Sequence, residues 1–192
     1  MTITTLDQLF DAMANNASRI VVSKASIANM VAGQLCSMWR STGQPGQGAI
    51  PGTTPAVPTK ATLGAFDFTN QTAPATSYLA WATLYSGNSG GCVEIHDRAA
   101  HMGGLVLNVT TAQPITGLDL GSIGLDAARR GAADFSDLQW FLEVYTDGGA
   151  TASNATVSVT YDDNSTGTLN VIAVGGTLRA GRMIPLTPVI PS

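Results

Sequence analysis

The run Gly87-Asn88-Ser89-Gly90-Gly91 fits the G-x-S-x-G pattern of a serine nucleophile. A serine attacks only when a histidine takes its proton and a carboxylate orients that histidine. The chain has two histidines, His96 and His101, and both follow Ser89. None precedes it, and Cys92–His96 reads as a strand rather than the helix that follows a nucleophile elbow. A Gly/Ser hairpin turn accounts for the same letters, so Ser89 is not expected to be a nucleophile. His96-Asp97-Arg98-Ala99-Ala100-His101 gathers two imidazoles and a carboxylate. Zinc needs further firm ligands, and histidines five apart do not share a helical face. Asp97 and Arg98 are expected to form a local ion pair that shapes a turn.

Asp162-x-Asn164-x-Thr166-Gly167 imitates the first half of a calcium loop, but its twelfth position is Ala173 instead of a bidentate glutamate. A tight turn uses the same residue types. Asp119, Asp126, Asp134 and Asp137 are scattered, and only Glu143 lies within a strongly patterned strand. A glycosidase needs two carboxylates across one cleft, and the spacing pairs Glu143 with no second one. Arg129-Arg130 has neighbouring acids as partners. Trp39, Trp81 and Trp140 are widely spaced, as core or interface anchors are. Cys36 and Cys92 lack CxxC spacing and read as buried free thiols, with a Cys36–Cys92 bridge as the alternative. No catalytic residue, cofactor or metal site is expected.

The elements that would position these side chains divide the 192 residues into three zones. Leu6, Leu9, Phe10 and Met13 recur at i, i+3, i+4 and i+7, which predicts an amphipathic helix over residues 5–14 with Thr5 or Asp7 near its cap. Near-helical spacing continues over 24–40, with a strand around Gln34–Arg40 as the alternative. Residues 41–60 hold four prolines and four glycines, and predict an irregular crossing arm or linker. From Tyr78 the period becomes two, and strands are expected at Tyr78–Tyr85, Cys92–His96, Leu105–Thr110, Gln139–Thr146, Ala155–Tyr161 and Thr168–Val174. The last pair is joined by a hairpin turn at 162–167. The fold expected is mainly β, an antiparallel sandwich or jelly-roll-like body over 61–184. A helical segment and arm (1–60) precede it, and an extended, Pro-punctuated arm (185–192) follows.

Charged residues make up 11% of the chain, against ~25% in a typical soluble domain. Net charge is −4 with nine basic residues, which offers no electrostatic footprint for nucleic acid or anionic lipid. No run of ~18 apolar residues could span a membrane. Lys24 and Lys60 are the only lysines, a scarcity that suits extensive burial against other chains. The start, MTITTLDQLFDAMANN, has no basic region followed by an apolar run, so no secretory signal is expected.

Five stretches, CSMWRSTGQPGQGAIP, EIHDRAAHMGGL, TTAQP, DLQWFLEVYTDGGATASNATVSVTYDD and RAGRMIPL, resemble segments of virion structural proteins of tailed bacteriophages. The resemblance spans roughly residues 25–185 and its motifs are structural. It implies a capsid cement or decoration subunit, commonly a trimer, binding the major capsid protein or other virion proteins after assembly in a bacterial cytoplasm. The alternatives are another virion role (head–tail connector, tail or head spike) and a carbohydrate-binding β-sandwich module. Affinity for a shell would come from apolar arms, with Leu6, Leu9, Phe10 and Met13 at one terminus and Pro185, Leu186 and Val189 at the other.

Overall fold

A computed structural model of the chain describes residues 3–15, 19–28, 30–69, 72, 74, 77–79, 81–87, 91–161 and 163–187. Ser89, Asp162 and Val189 lie outside the described residues. Strand makes up about 18% and helix 8%, which makes the fold mainly β, built of small antiparallel sheets.

Helix α1 spans Leu6–Asn15. Thr5 and Gln8 close a capping box at its start: Gln8 N donates to Thr5 Oγ1 at 3.3 Å, and Gln8 Oε1 accepts from Thr4 N at 2.8 Å and Thr5 N at 3.3 Å. Two orphan amides are thereby satisfied without help from the rest of the molecule. No residue of α1 is buried.

The helical spacing read over 24–40 is not realised. Strand β1 (Ser23–Lys24) pairs antiparallel with β2 (Gly43–Gln44), and Gly33 takes φ 78° in a turn. Of the alternative strand around Gln34–Arg40, one bridge remains, Cys36 with Arg182. The cause is competition for backbone groups: Ser37 N donates to Gly181 O at 2.7 Å and Met183 N to Leu35 O at 3.0 Å. These distant partners replace the local bonds a helix would make.

The Pro/Gly-rich segment 41–60 is a fastened arm. Gly48 N donates to Trp39 O at 2.7 Å, Trp39 Nε1 to Ala49 O at 2.9 Å, and Gly103 N to Gly52 O at 2.8 Å. Ala56 and His101 exchange both backbone bonds at 3.0 Å, and Pro51 and Pro58 are buried. A side chain at Gly48 would enter the Trp39 ring, so the close approach requires glycine.

No strand forms at Tyr78–Tyr85, Cys92–His96 or Leu105–Thr110 among the described residues. Alternation supplies a face to bury but no partner to pair with. At Val106 the Gln113 side chain substitutes for a strand, accepting from Val106 N at 2.7 Å and donating to Val106 O at 2.8 Å. A short helix, α2 (Ala127–Arg130), follows, capped by Asp126, whose Oδ1 accepts from Ala128 N at 2.8 Å.

Six strands complete the chain: β3 (Trp140–Glu143), β4 (Ala152–Ala155), β5 (Ser158–Thr160), β6 (Thr166–Thr168), β7 (Ile172–Gly175) and β8 (Met183–Leu186). Their pairings nest, with β5–β6 innermost, β4–β7 next and β3–β8 outermost. Trp140 faces Leu186, Ala152 faces Gly175 and Ser158 faces Thr168, so the register slips by one residue and returns. The whole is one interrupted antiparallel ribbon, turning where Tyr161 N donates to Ser165 O at 2.9 Å. The ribbon folds on itself: Asn170 N donates to Thr187 O at 3.2 Å, and Asn170 Nδ2 to Thr187 Oγ1 at 3.0 Å. Val144, Leu169, Ile172 and Val174 form the buried core on its inner side. The expected strand at Gln139–Thr146 is present as β3. The segments at 155–161 and 168–174 are each broken, because the slip in register interrupts both sides of the ribbon together.

Candidate functional site

A polar cluster lies where residues 37–39, the 98–101 segment and β3 meet. Glu143 is carried inward by β3, and its side chain is 8% exposed. Arg98 Nη1 donates to Glu143 Oε2 at 2.7 Å, and Tyr145 Oη donates to the same oxygen at 2.9 Å. Arg98 Nη2 reaches Ser37 Oγ at 3.4 Å, and its guanidinium lies 4.7 Å from the centre of the Trp39 ring. His101 meets that ring edge-on at 6.2 Å. Arg98 therefore ties β3 and the 37–39 segment to its own, by a charge-assisted bond to the first and a hydroxyl contact and a cation–π stack to the second.

Burial, and after it the Glu143 carboxylate, push the Tyr145 phenol above its usual range, with Arg98 opposing. Burial and the Arg98 charge hold the His101 imidazole below its usual range, against a smaller upward pull from Glu143. Both shifts favour neutral rings, so the charge of the cluster resides in Arg98 and Glu143.

A second ion pair fastens α2. Arg129 grips Asp97 with two bonds of 2.7 Å and donates to Pro58 O at 2.8 Å and Arg98 O at 3.1 Å. The local Asp97–Arg98 pair expected from adjacency is thus corrected: each residue pairs with a distant partner. Side chains adjacent in an extended segment point apart, and each finds its counter-charge elsewhere. The cysteines are corrected too, since Cys36 and Cys92 are free but exposed. His96 bonds Glu94 at 2.8 Å and shares no site with His101. The described residues contain no group of three or more His, Cys, Asp or Glu able to hold a metal ion. No helix among them is long and apolar enough to cross a membrane.

Of the docking residues read from sequence, Leu6, Leu9 and Phe10 are exposed on α1 (Leu6 63%, Phe10 56%) and Met13 is half-buried. Pro185 and Leu186 are placed differently. They belong to β8, opposite Phe141 and Trp140, so the strand runs across the arm boundary expected at 185. An edge position tolerates proline, which lacks a donor.

Open clefts of about 300 and 480 Å³ lie beside β7–β8 and beside Thr53–Pro55, and neither is lined by a residue of the Arg98 cluster. Large hydrophobic side chains are instead spread over the surface, with Tyr78, Leu79, Trp81 and Tyr85 each at least 65% exposed. A compact monomer of 19.7 kDa exposes roughly 8,600 Å². This chain exposes 13,852 Å². No family model, curated protein or solved structure matches it.

Proposed function

We propose that this chain is a non-enzymatic virion structural protein, a capsid cement or decoration subunit that acts as a homo-oligomer, with a trimer favoured. The observation that carries the reading is the mismatch between apolar content and burial. Hydrophobic residues make up 44% of the sequence, yet the described residues bury only Val144, Leu169, Ile172 and Val174 among the hydrophobic ones. Surface of that kind is stable when other chains cover it. Helix α1 supports the same reading: it is internally capped and presents Leu6, Leu9 and Phe10 to whatever lies beside it.

In this reading α1 lies on the major capsid protein or another virion protein, and several such weak contacts add through multivalency. The folded ribbon of β3–β8 serves as the nucleus of a jelly-roll-like body. The Ala56–His101 bridge and the Arg129–Pro58 bond keep the arm seated while the shell is under load. Assembly takes place in the host bacterial cytoplasm, with no direct contact to nucleic acid or membrane.

Antibody labelling of purified virions tests the proposal. Label spread over the head is expected. Label confined to the neck, tail or spikes moves the reading to a connector, tail or spike component, and virions without label overturn it.

A further inference from the structure

Residues 48–58 are fastened to the body by two kinds of bond. At each end an arginine holds a backbone carbonyl: Arg40 Nη1 donates to Gly48 O, and Arg129 Nη1 to Pro58 O at 2.8 Å. Between the ends the fastening is backbone to backbone. Ala56 and His101 exchange two bonds of 3.0 Å, and Gly103 N donates to Gly52 O at 2.8 Å. Pro51 lies so close over Gly103 that a side chain at position 103 would strike the Pro51 carbonyl.

The His101 side chain beside this seam occupies a place that suits a neutral ring. It meets Trp39 edge-on, while the Arg98 guanidinium lies 4.7 Å from the centre of the same indole. His101 Nδ1 is buried and has no hydrogen-bond partner among the described residues. In an imidazolium both ring nitrogens are donors. Protonation therefore makes Nδ1 a buried charged donor with no acceptor, near a guanidinium of like charge.

We propose that His101 is an acid-released catch: when its ring takes up a proton, residues 51–57 swing off the body as a flap hinged at Gly48 and Pro58. Opening frees the backbone groups of His101 and Gly103 and uncovers Pro51, while the β3–β8 ribbon stays folded. The device is independent of the virion reading.

The charges around His101 set the direction. Its own segment brings Arg98, and also Asp97, which Arg129 occupies with two bonds of 2.7 Å. From β3 and just beyond it come Glu143 and the Tyr145 phenol. Residues 37–39 and 49–58 carry no titratable side chain. Glu143 favours the imidazolium, but its Oε2 already accepts from Arg98 and Tyr145. Burial first and the Arg98 charge second hold the imidazole below its usual range against that weaker pull. In the open flap the ring protonates near its ordinary value of pH ~6.5, above the closed one. Closure is therefore complete above that pH and weakens up to about tenfold per pH unit below it, until the closed ring itself titrates. Arginine keeps its charge throughout, so both hinges hold while the catch opens.

The test combines NMR titration of the imidazoles with amide exchange on the full chain between pH 7 and pH 5, as protection factors corrected for intrinsic rate. His101 is expected to titrate below pH ~6.5. Protection at Ala56, His101 and Gly103 should fall up to about tenfold per pH unit. Gly48, bonded to Trp39 O at the hinge, and Val144 on the ribbon should keep theirs. His101→Asn, neutral at every pH, should abolish the fall, and His96→Asn, at the exposed histidine paired with Glu94, should preserve it. The proposal is overturned if His101 titrates at or above pH ~6.5, which would mean that Glu143 stabilises the imidazolium. Loss of protection at Gly48 or Val144 together with Ala56 would mark general unfolding and overturns it as well, as does a fall that survives His101→Asn or vanishes in His96→Asn. If His101→Asn does not fold, the wild-type chain decides alone: the fall in protection must level off where the His101 ring titrates, and any other midpoint overturns the catch.

Discussion

Arg98 and Glu143 stand 45 residues apart and meet in a setting where neither charge is well hydrated. Glu143→Gln keeps the shape of the site but leaves the guanidinium facing a neutral amide. A loss of about 3 kcal/mol is expected, as for other buried pairs stripped of one partner, read as a lower urea midpoint at unchanged slope. Tyr145 gives a second, pH-dependent signature. Its folded pKa is raised, so the folded chain keeps a proton that an unfolded phenol releases near pH ~10. The stability it contributes is complete below that pH and is lost as pH rises through the folded value. Thermal melts from neutral to strongly alkaline pH should show this decline, and Tyr145→Phe should flatten it. None of this geometry was legible in the sequence. Spacing offered Asp97 as the neighbour of Arg98, because adjacency is visible in a string of letters and a contact across 45 residues is not.

At the scale of elements, α1 was readable because its signals are local: an apolar stripe at helical spacing and a Thr5-x-x-Gln8 box. Since no residue of α1 is fully buried, deleting residues 1–15 should leave the melting temperature within a degree or so. In the cement reading the same deletion abolishes incorporation into particles, and a large drop in Tm would show instead that the helix packs on its own body. The arm answers to His101. Its folded pKa lies below the usual value, so the unfolded chain binds a proton first. Stability from this group is present above pH ~6.5 and is lost as pH falls through the folded value. Protection factors at Ala56 and His101, corrected for the slower intrinsic exchange at low pH, should fall between pH 7 and pH 5, while the inner hairpin β5–β6 keeps its protection. The failed elements share one cause. Helical spacing over 24–40 and alternation at 78–96 describe faces, whereas Gly181, Met183 and the lack of a pairing strand among the described residues decided the outcome.

For the molecule as a whole, the mainly β class was legible and the topology was not. Low charge and scarce lysine raise the expectation of surface covered by other chains, and large hydrophobic side chains such as Tyr78, Leu79, Trp81 and Tyr85 are exposed. The ribbon order β3 to β8 could not be read, because nested pairing depends on which strand finds which, and every candidate strand carried similar alternation. Exposure has a measurable cost. Unfolding dilute monomer uncovers less new surface than unfolding a compact chain of equal length, so its urea m-value should fall below the size expectation. Raising protein concentration should raise both midpoint and slope. A concentration-independent transition of ordinary steepness would contradict this.

The nested ribbon also has a direction in time. Its inner turn closes over residues 161–165, whereas the Cys36–Arg182 bridge joins positions at opposite ends of the chain. Short loops close in well under a microsecond and long ones carry a larger entropic penalty. Folding should therefore zip outward from β5–β6 through β4–β7 to β3–β8, and the arm, latched at Ala56 by His101 and at Pro58 by Arg129, should seat last. A newly made chain passes through a stage with its ribbon formed and its arm loose, still able to thread the arm past a neighbour before the latch shuts.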